Sequence, residues 1–193
     1  MLAGAARAVR RRLPRLRRFE IVSSKPSSSS GAALAAIGLD LVAVTEDNLP
    51  LALEFRPAGV VSQLARHLRG GCRGWYACER GRVAAYGFLA TPDGAPMRVR
   101  RVFVHPGEAA AVLFFTRPEW RGRGVATALL SALKARAAKV PGVETVIAWS
   151  PRANRAARRV QLKAGFAPAG TLWVFEFLGR PVARLTFGSP VKR

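Results

Sequence analysis

The chain is 193 residues long, half of them apolar, with a formal net charge of +21. That length holds one domain, or one domain and a tail, and no run of about 18 uncharged apolar residues is present to form a membrane-spanning helix. Arginine supplies most of the charge, 27 residues against 5 lysines, which reads either as the habit of an Ala-, Gly- and Arg-rich chain or as attraction to an anion: nucleic acid, anionic lipid or a phosphorylated cofactor.

The first segment, "MLAGAARAVRRRLPRLRRF", carries seven arginines and no acid before Glu20. It reads as an organelle transit peptide, as a basic helix on an anionic membrane surface, or as a solvated basic tail. It lacks the long apolar centre of a secretory signal. "FEIVSS" reads as a short strand and "KPSSSSGAA" as a linker. Residues 1–30 are thus expected to form a basic tail with a short strand and a Ser-rich linker, ahead of a domain over residues 39–188.

"LDLVAVT" reads as a strand, with Thr45, Glu46 and Asp47 opening a helix, and "AGVVSQLARHLRGG" as a helix closed by Gly70 and Gly71. "GWYACERGRVAAYGFLAT" reads as a hairpin around Arg80-Gly81, and "MRVRRVFV" as one alternating strand. "AAAVLFFT" is a nearly continuous apolar run, as in a strand covered on both faces. A helix follows from about Gly124 to Ala138, then the strand "VETVIAWS", a helix from Asn154 to Ala164, and a closing hairpin of "TLWVFEFLG" and "VARLTFG". Helices interrupting a mixed sheet give an α/β or α+β class. Cys72 and Cys78, six apart, face the same side of a strand. No CxxC or His cluster accompanies them, so they read as small apolar fillers kept reduced in a cytoplasmic setting, with no metal site.

The informative stretch is "TRPEWRGRGVATALLSALKARA". A glycine turn after a buried strand and before a helix offers free N–H groups and the positive end of a helix dipole, so it suits an anion, most simply a phosphate. A P-loop requires Lys and then Ser or Thr after the second glycine, but Val125 and Ala126 follow Gly124. A dinucleotide fingerprint requires a third glycine where Thr127 stands, and its ribose-binding acid belongs at the end of the next strand, whereas Glu144 is at the start.

A third pattern, R/Q-x-x-G-x-G/A, fits Arg121, Gly124 and Ala126 in register. A second motif lies in "NRAARRVQLKAGF", where Asn154, Ala157, Gly165 and Phe166 fall at matching positions after the strand "VETVIAWS". Together these resemble the GNAT acetyltransferase superfamily, over roughly Leu39 to Gly188 and most strongly from Val112 to Gly170.

The resemblance implies a single domain with a mixed, mostly antiparallel central sheet, splayed central strands and flanking helices. It implies acetyl-CoA as cosubstrate. Leu113, Phe114, Phe115 and Thr116 would pair with the pantetheine arm as an added strand. The main chain of Arg121, Gly122, Arg123, Gly124, Val125 and Ala126 would hold the pyrophosphate, with glycine at 124 for close backbone approach. Asn154 and Ala157 would border the cofactor, although Asn154 also suits a helix N-cap. The family often has a tyrosine, as thiolate donor, where this chain has Gln161; glutamine donates a hydrogen bond but gives no proton. Glu108 and His105 are the candidate bases, each otherwise a loop residue. Tyr86, Glu176, Trp149 and Phe115 either face the cleft or pack.

Three functions follow: N-acetylation of a small-molecule or protein amine, a catalytically weak coenzyme A-binding module, and a basic nucleic-acid or membrane-surface binder. The basic surface favours an acidic or phosphorylated acceptor, the N-terminus contact with an anionic surface, and the family's closing strands a homodimer. Deleting residues 1–30 is the sequence-level test for the charge-driven reading.

Overall fold

A computed structural model describes residues 15–27, 32–94, 97–99, 102–177 and 180–188. Its main sheet has eight strands: β1 (Arg15–Ser24), β2 (Asp40–Val44), β3 (Arg73–Glu79), β4 (Arg82–Ala90), β7 (Glu108–Thr116), β8 (Thr145–Pro151), β9 (Ala167–Phe177) and β10 (Arg180–Phe187). They lie in the order β10-β9-β1-β8-β7-β4-β3-β2. Every neighbouring pair is antiparallel except β7 and β8, which run parallel. The helices are α1 (Ala32–Ala35), α2 (Ala58–Arg69), α3 (Val125–Ala137) and α4 (Arg155–Lys163), with 3-10 turns at Leu49–Glu54 and Pro118–Trp120. The mixed, mostly antiparallel sheet flanked by helices is the expected class.

Strand alternation divides the core. On β7, Ala110 and Val112 join a cluster with Val61 and Leu64 of α2, while Ala109 and Ala111 join Leu130 and Leu133 of α3. Successive residues thus feed opposite layers, and five consecutive buried positions, Glu108–Val112, follow from helices covering both faces. The β3–β4 hairpin turns where expected, with φ +46 at Arg80 and +81 at Gly81, the paired left-handed residues of a two-residue hairpin turn.

Three expectations differ from the fold. The helix expected to open at Thr45 is replaced by a closed turn: Thr45 N–H donates to Asn48 Oδ1 at 2.9 Å and Asn48 N–H to Thr45 Oγ1 at 3.3 Å. Leu49 then begins only a 3-10 turn, with Pro50 as its second residue. "MRVRRVFV" is two three-residue strands, β5 (Met97–Val99) and β6 (Val102–Val104), paired with each other outside the main sheet; Arg100 and Arg101 between them lie outside the described residues.

The third difference is the largest. The strand expected at "FEIVSS" begins at Arg15 and is an inner strand, pairing Phe19–Ser24 with β8 and Arg15–Ser23 with β9. Phe19 and Ile21 are buried against Leu172 and Val174. The sheet therefore takes in a strand from residues 1–30. Removing those residues would break two strand ladders, so the deletion that isolates the charge effect is residues 1–14, which lie outside the described residues, as do Ser28–Gly31 of the expected linker.

Candidate active site

The parallel pairing of β7 and β8 is short. It joins Glu108 to Thr145, Ala109 to Val146 and Ala110 to Ile147, and among the described residues goes no further. Past that point β7 stays with β4 but bulges: Tyr86 pairs with Phe115 and Phe88 with Val112, so Leu113 and Phe114 stand opposite the single residue Gly87. Leu113 takes φ +57, a left-handed conformation unusual for a branched aliphatic residue. Gly87 makes room for the displaced ring, since a Cβ there would sit 2.7 Å from Phe114. The result is a slot between Ala111–Thr116 of β7 and Ala148–Pro151 of β8.

The glycine turn stands at the open end of β7. Gly122 and Gly124 both have φ +78, and Gly124 is the N-cap of α3 with no side-chain cap. The helix's first backbone bond runs from Ala128 N–H to Gly124 C=O at 3.0 Å. The N–H groups before it point out of the helix end. A Cβ at Gly122 or Gly124 would meet nothing within 4 Å. Within the fold itself, then, glycine is demanded there by the positive φ and not by close packing. Arg121 folds back along the slot, its Nε donating to Thr116 C=O at 3.2 Å, and Arg123 lies over the Trp120 ring at 5.2 Å. Neither α3 nor α4 has an acid in its first turn. Arg155 opens α4, and Arg121 and Arg123 precede the N-cap of α3, the reverse of the charge a helix dipole favours there.

Asn154 is the N-cap of α4, its Oδ1 accepting the N–H of Ala157 at 3.1 Å. Gln161 is buried on the same helix, and Ser150 Oγ donates to its Oε1 at 3.3 Å. Ser150 lies on β8 past the last pair with β7, so this couple borders the slot. Glu108 and His105 do not. Glu108 is the first residue of β7, buried, and its Oε2 accepts the backbone N–H of His105 at 2.9 Å. It closes its own turn, five residues before Leu113, about 16 Å along an extended strand. His105 is exposed in that turn. Glu176 is buried and paired with Arg17 Nε at 3.0 Å, with β1 between its strand and β8.

The face of β7 toward α2 holds an aromatic group that sequence patterns did not reveal as a unit. Phe115 stacks on Phe55 and on Tyr86, each pair with centroids 5.8 Å apart. Arg56 lies over Phe115 at 4.1 Å. Among the described residues no three His, Cys, Asp or Glu side chains cluster as metal ligands would.

A strand that bulges and splays beside a glycine-capped helix agrees with the sequence match: residues 42–166, well over half the chain, match the model of the acetyltransferase (GNAT) family. The chain belongs to the GNAT acetyltransferase family. No curated protein sequence matches it significantly. Solved GNAT structures share its fold. An acetyltransferase of the GNAT family from Colwellia psychrerythraea is 18% identical with a TM-score of 0.60, over 91% of this chain and 62% of its own. A tandem GNAT protein of the clavulanic acid biosynthesis pathway is 21% identical with a TM-score of 0.58, over 91% of this chain and 57% of its own. An aminoglycoside N-acetyltransferase in complex with CoA is 18% identical with a TM-score of 0.51, over 66% of this chain and 91% of its own. The first two are the longer proteins, and this chain spans about three fifths of each.

Proposed function

We propose that the protein moves an acetyl group from acetyl-CoA to an amine, by direct attack of the amine on the thioester in a ternary complex. The observation that carries this reading is the splayed, bulged β7 running into an uncapped helix start flanked by Arg121 and Arg123. An anion at that end relieves the repulsion between the arginines and the dipole, and the CoA pyrophosphate supplies it. Pantetheine lies along Leu113–Thr116 and borrows their backbone groups. Asn154 and Ala157 hold the start of α4 at the side of the cofactor.

In the transfer, the amine nitrogen bonds to the carbonyl carbon, the carbon–sulfur bond breaks, and sulfur leaves as thiolate. The nitrogen loses a proton, and the thiolate gains one from water. Gln161 serves as a hydrogen-bond donor to the sulfur. Ser150 occupies its Oε1, which leaves the amide N–H groups to donate. With Glu108 closing its own turn, water carries the proton from the amine in this scheme, and proximity in the slot accounts for most of the acceleration.

A second reading, a CoA-binding module with weak catalysis, draws support from Gln161, which cannot give a proton. Acetyl-CoA affinity without acetyl transfer to any amine would establish it. A cytoplasmic setting belongs to the first reading because Cys72 and Cys78 are buried free thiols; no described helix is long and apolar enough to cross a membrane. Contact between the basic residues 1–14 and an anionic surface, and a homodimer through the closing strands, are parts of the same proposal.

Calorimetric titration with acetyl-CoA tests the reading, with Gly124→Glu as the control. The expected result is a micromolar affinity lost in the variant, because a non-glycine residue there strains the turn and a carboxylate repels the pyrophosphate. Absence of binding by folded wild type would end it.

A further inference from the structure

Two buried side-chain polar atoms among the described residues have no hydrogen-bond partner, Arg18 Nε and Arg56 Nε. Buried donors are seldom left so. Arg18 lies over Trp173, with β1 between that residue's strand and the slot. Arg56 is beside the slot, its guanidinium over Phe115, the residue immediately past the bulge.

The backbone fixes Arg56 there. Its N–H donates to Ala52 C=O at 2.8 Å, and Pro57, the N-cap of α2, follows it. The ring of Phe115 is itself held between Phe55 and Tyr86. The nearby acids are taken by a different arginine: Arg117 pairs with Glu54 at 3.5 Å and with Glu119 at 2.7 Å. Arg56 therefore presents a positioned, part-buried cation that no carboxylate of the described chain neutralises. It lies on the face of β7 toward α2; the glycine turn opens α3, which packs on the other face, and reaches the same Phe115 ring through Arg121, 5.9 Å from its centroid.

We propose that Arg56 receives a carboxylate of the acceptor, so that the amine acetylated is one that also carries a carboxylate. This rests on the acetyl-transfer reading and narrows its substrate class. Arginine's planar fork, with Nε and one Nη side by side, matches the two oxygens of a carboxylate, and stacking on Phe115 holds the fork in plane. An incoming carboxylate satisfies the orphaned Nε–H and the free charge together.

The test uses the full chain. Acetyl transfer is followed with acetyl-CoA and matched pairs of small amines: free α- and ω-amino acids against their own carboxamides, and ethanolamine phosphate against ethanolamine. CoA affinity is measured in parallel on wild type, Arg56→Met and Arg56→Lys. The carboxylates are expected to exceed their amides in kcat/KM by about 10- to 100-fold in wild type. Arg56→Met should erase that ratio, Arg56→Lys should keep part of it, and CoA affinity should stay within about twofold in both. Equal transfer to acids and amides, preference for the phosphate alone, or no turnover and no binding of any carboxylate by the CoA-bound protein would each overturn the assignment while leaving the cofactor site intact. Loss of CoA affinity in Arg56→Met would reassign Arg56 to the cofactor. Failure of wild type to bind CoA would overturn both readings.

Discussion

The bulge that opens the slot depends on Leu113 at φ +57, and the cost of that conformation can be read from two substitutions. A left-handed backbone costs an ordinary L-residue about 1–2 kcal/mol. Leu113→Ala and Leu113→Gly both remove the same half-buried side-chain atoms beyond Cβ, so the lost packing largely cancels between them. What remains is the left-handed penalty kept by alanine, set against the greater unfolded-state freedom of glycine, about 0.5–1 kcal/mol. The difference favours glycine by about 0.75 kcal/mol, or about 2 °C in Tm for a domain of this size. That reverses the usual order at a strand position. Thermal and urea unfolding of the two variants, side by side, measures it. An alanine variant as stable as the glycine variant, or more so, would refute the bulge as described here.

Three further outcomes follow. Removing residues 1–14 should leave a cooperatively folding protein, while removing residues 1–27 should abolish folding, because β1 lies between β8 and β9; circular dichroism melts of the two truncations decide this. Burial raises the Cys72 thiol to about 11, so iodoacetamide at pH 8 should label neither cysteine in the native state and both in guanidinium. Lys134 Nζ donates to Ala164 C=O at 2.9 Å, and burial lowers its pKa below the ordinary 10.5. The folded protein releases that proton before the unfolded chain does. The cost of burying the charge is full at neutral pH and falls as pH rises through the lowered pKa toward 10.5. Wild type should therefore gain stability relative to Lys134→Met between pH 7 and pH 10, and a pH-independent difference would contradict the burial of this charge.

Much of the local geometry at the candidate site was legible because its signals are local. Glycines at 122 and 124 carry a backbone requirement, Asn154 caps the helix it begins, and apolar runs such as Ala109–Val112 report a strand covered on both faces. β1 was legible as a strand but not as an inner one. Its arginines resemble a tail, and its partners Val146–Pro151 and Ala167–Glu176 lie more than a hundred residues away. The split of "MRVRRVFV" and the turn at Thr45–Asn48 depend on tertiary packing and side-chain-to-backbone bonds that override pattern. Arg56 was invisible for the same reason. Nothing in "LEFRPAG" tells that its neighbour would be Phe115, 59 positions on.

In the proposed reading, one continuous surface, from the bulge of β7 to the start of α3, holds coenzyme A through backbone groups. Amide hydrogen exchange with and without saturating CoA tests it most directly. Slowed exchange concentrated at Leu113–Thr116 and Gly122–Thr127 is the predicted result. Unchanged exchange in both segments, or protection confined to other parts of the chain, would contradict it.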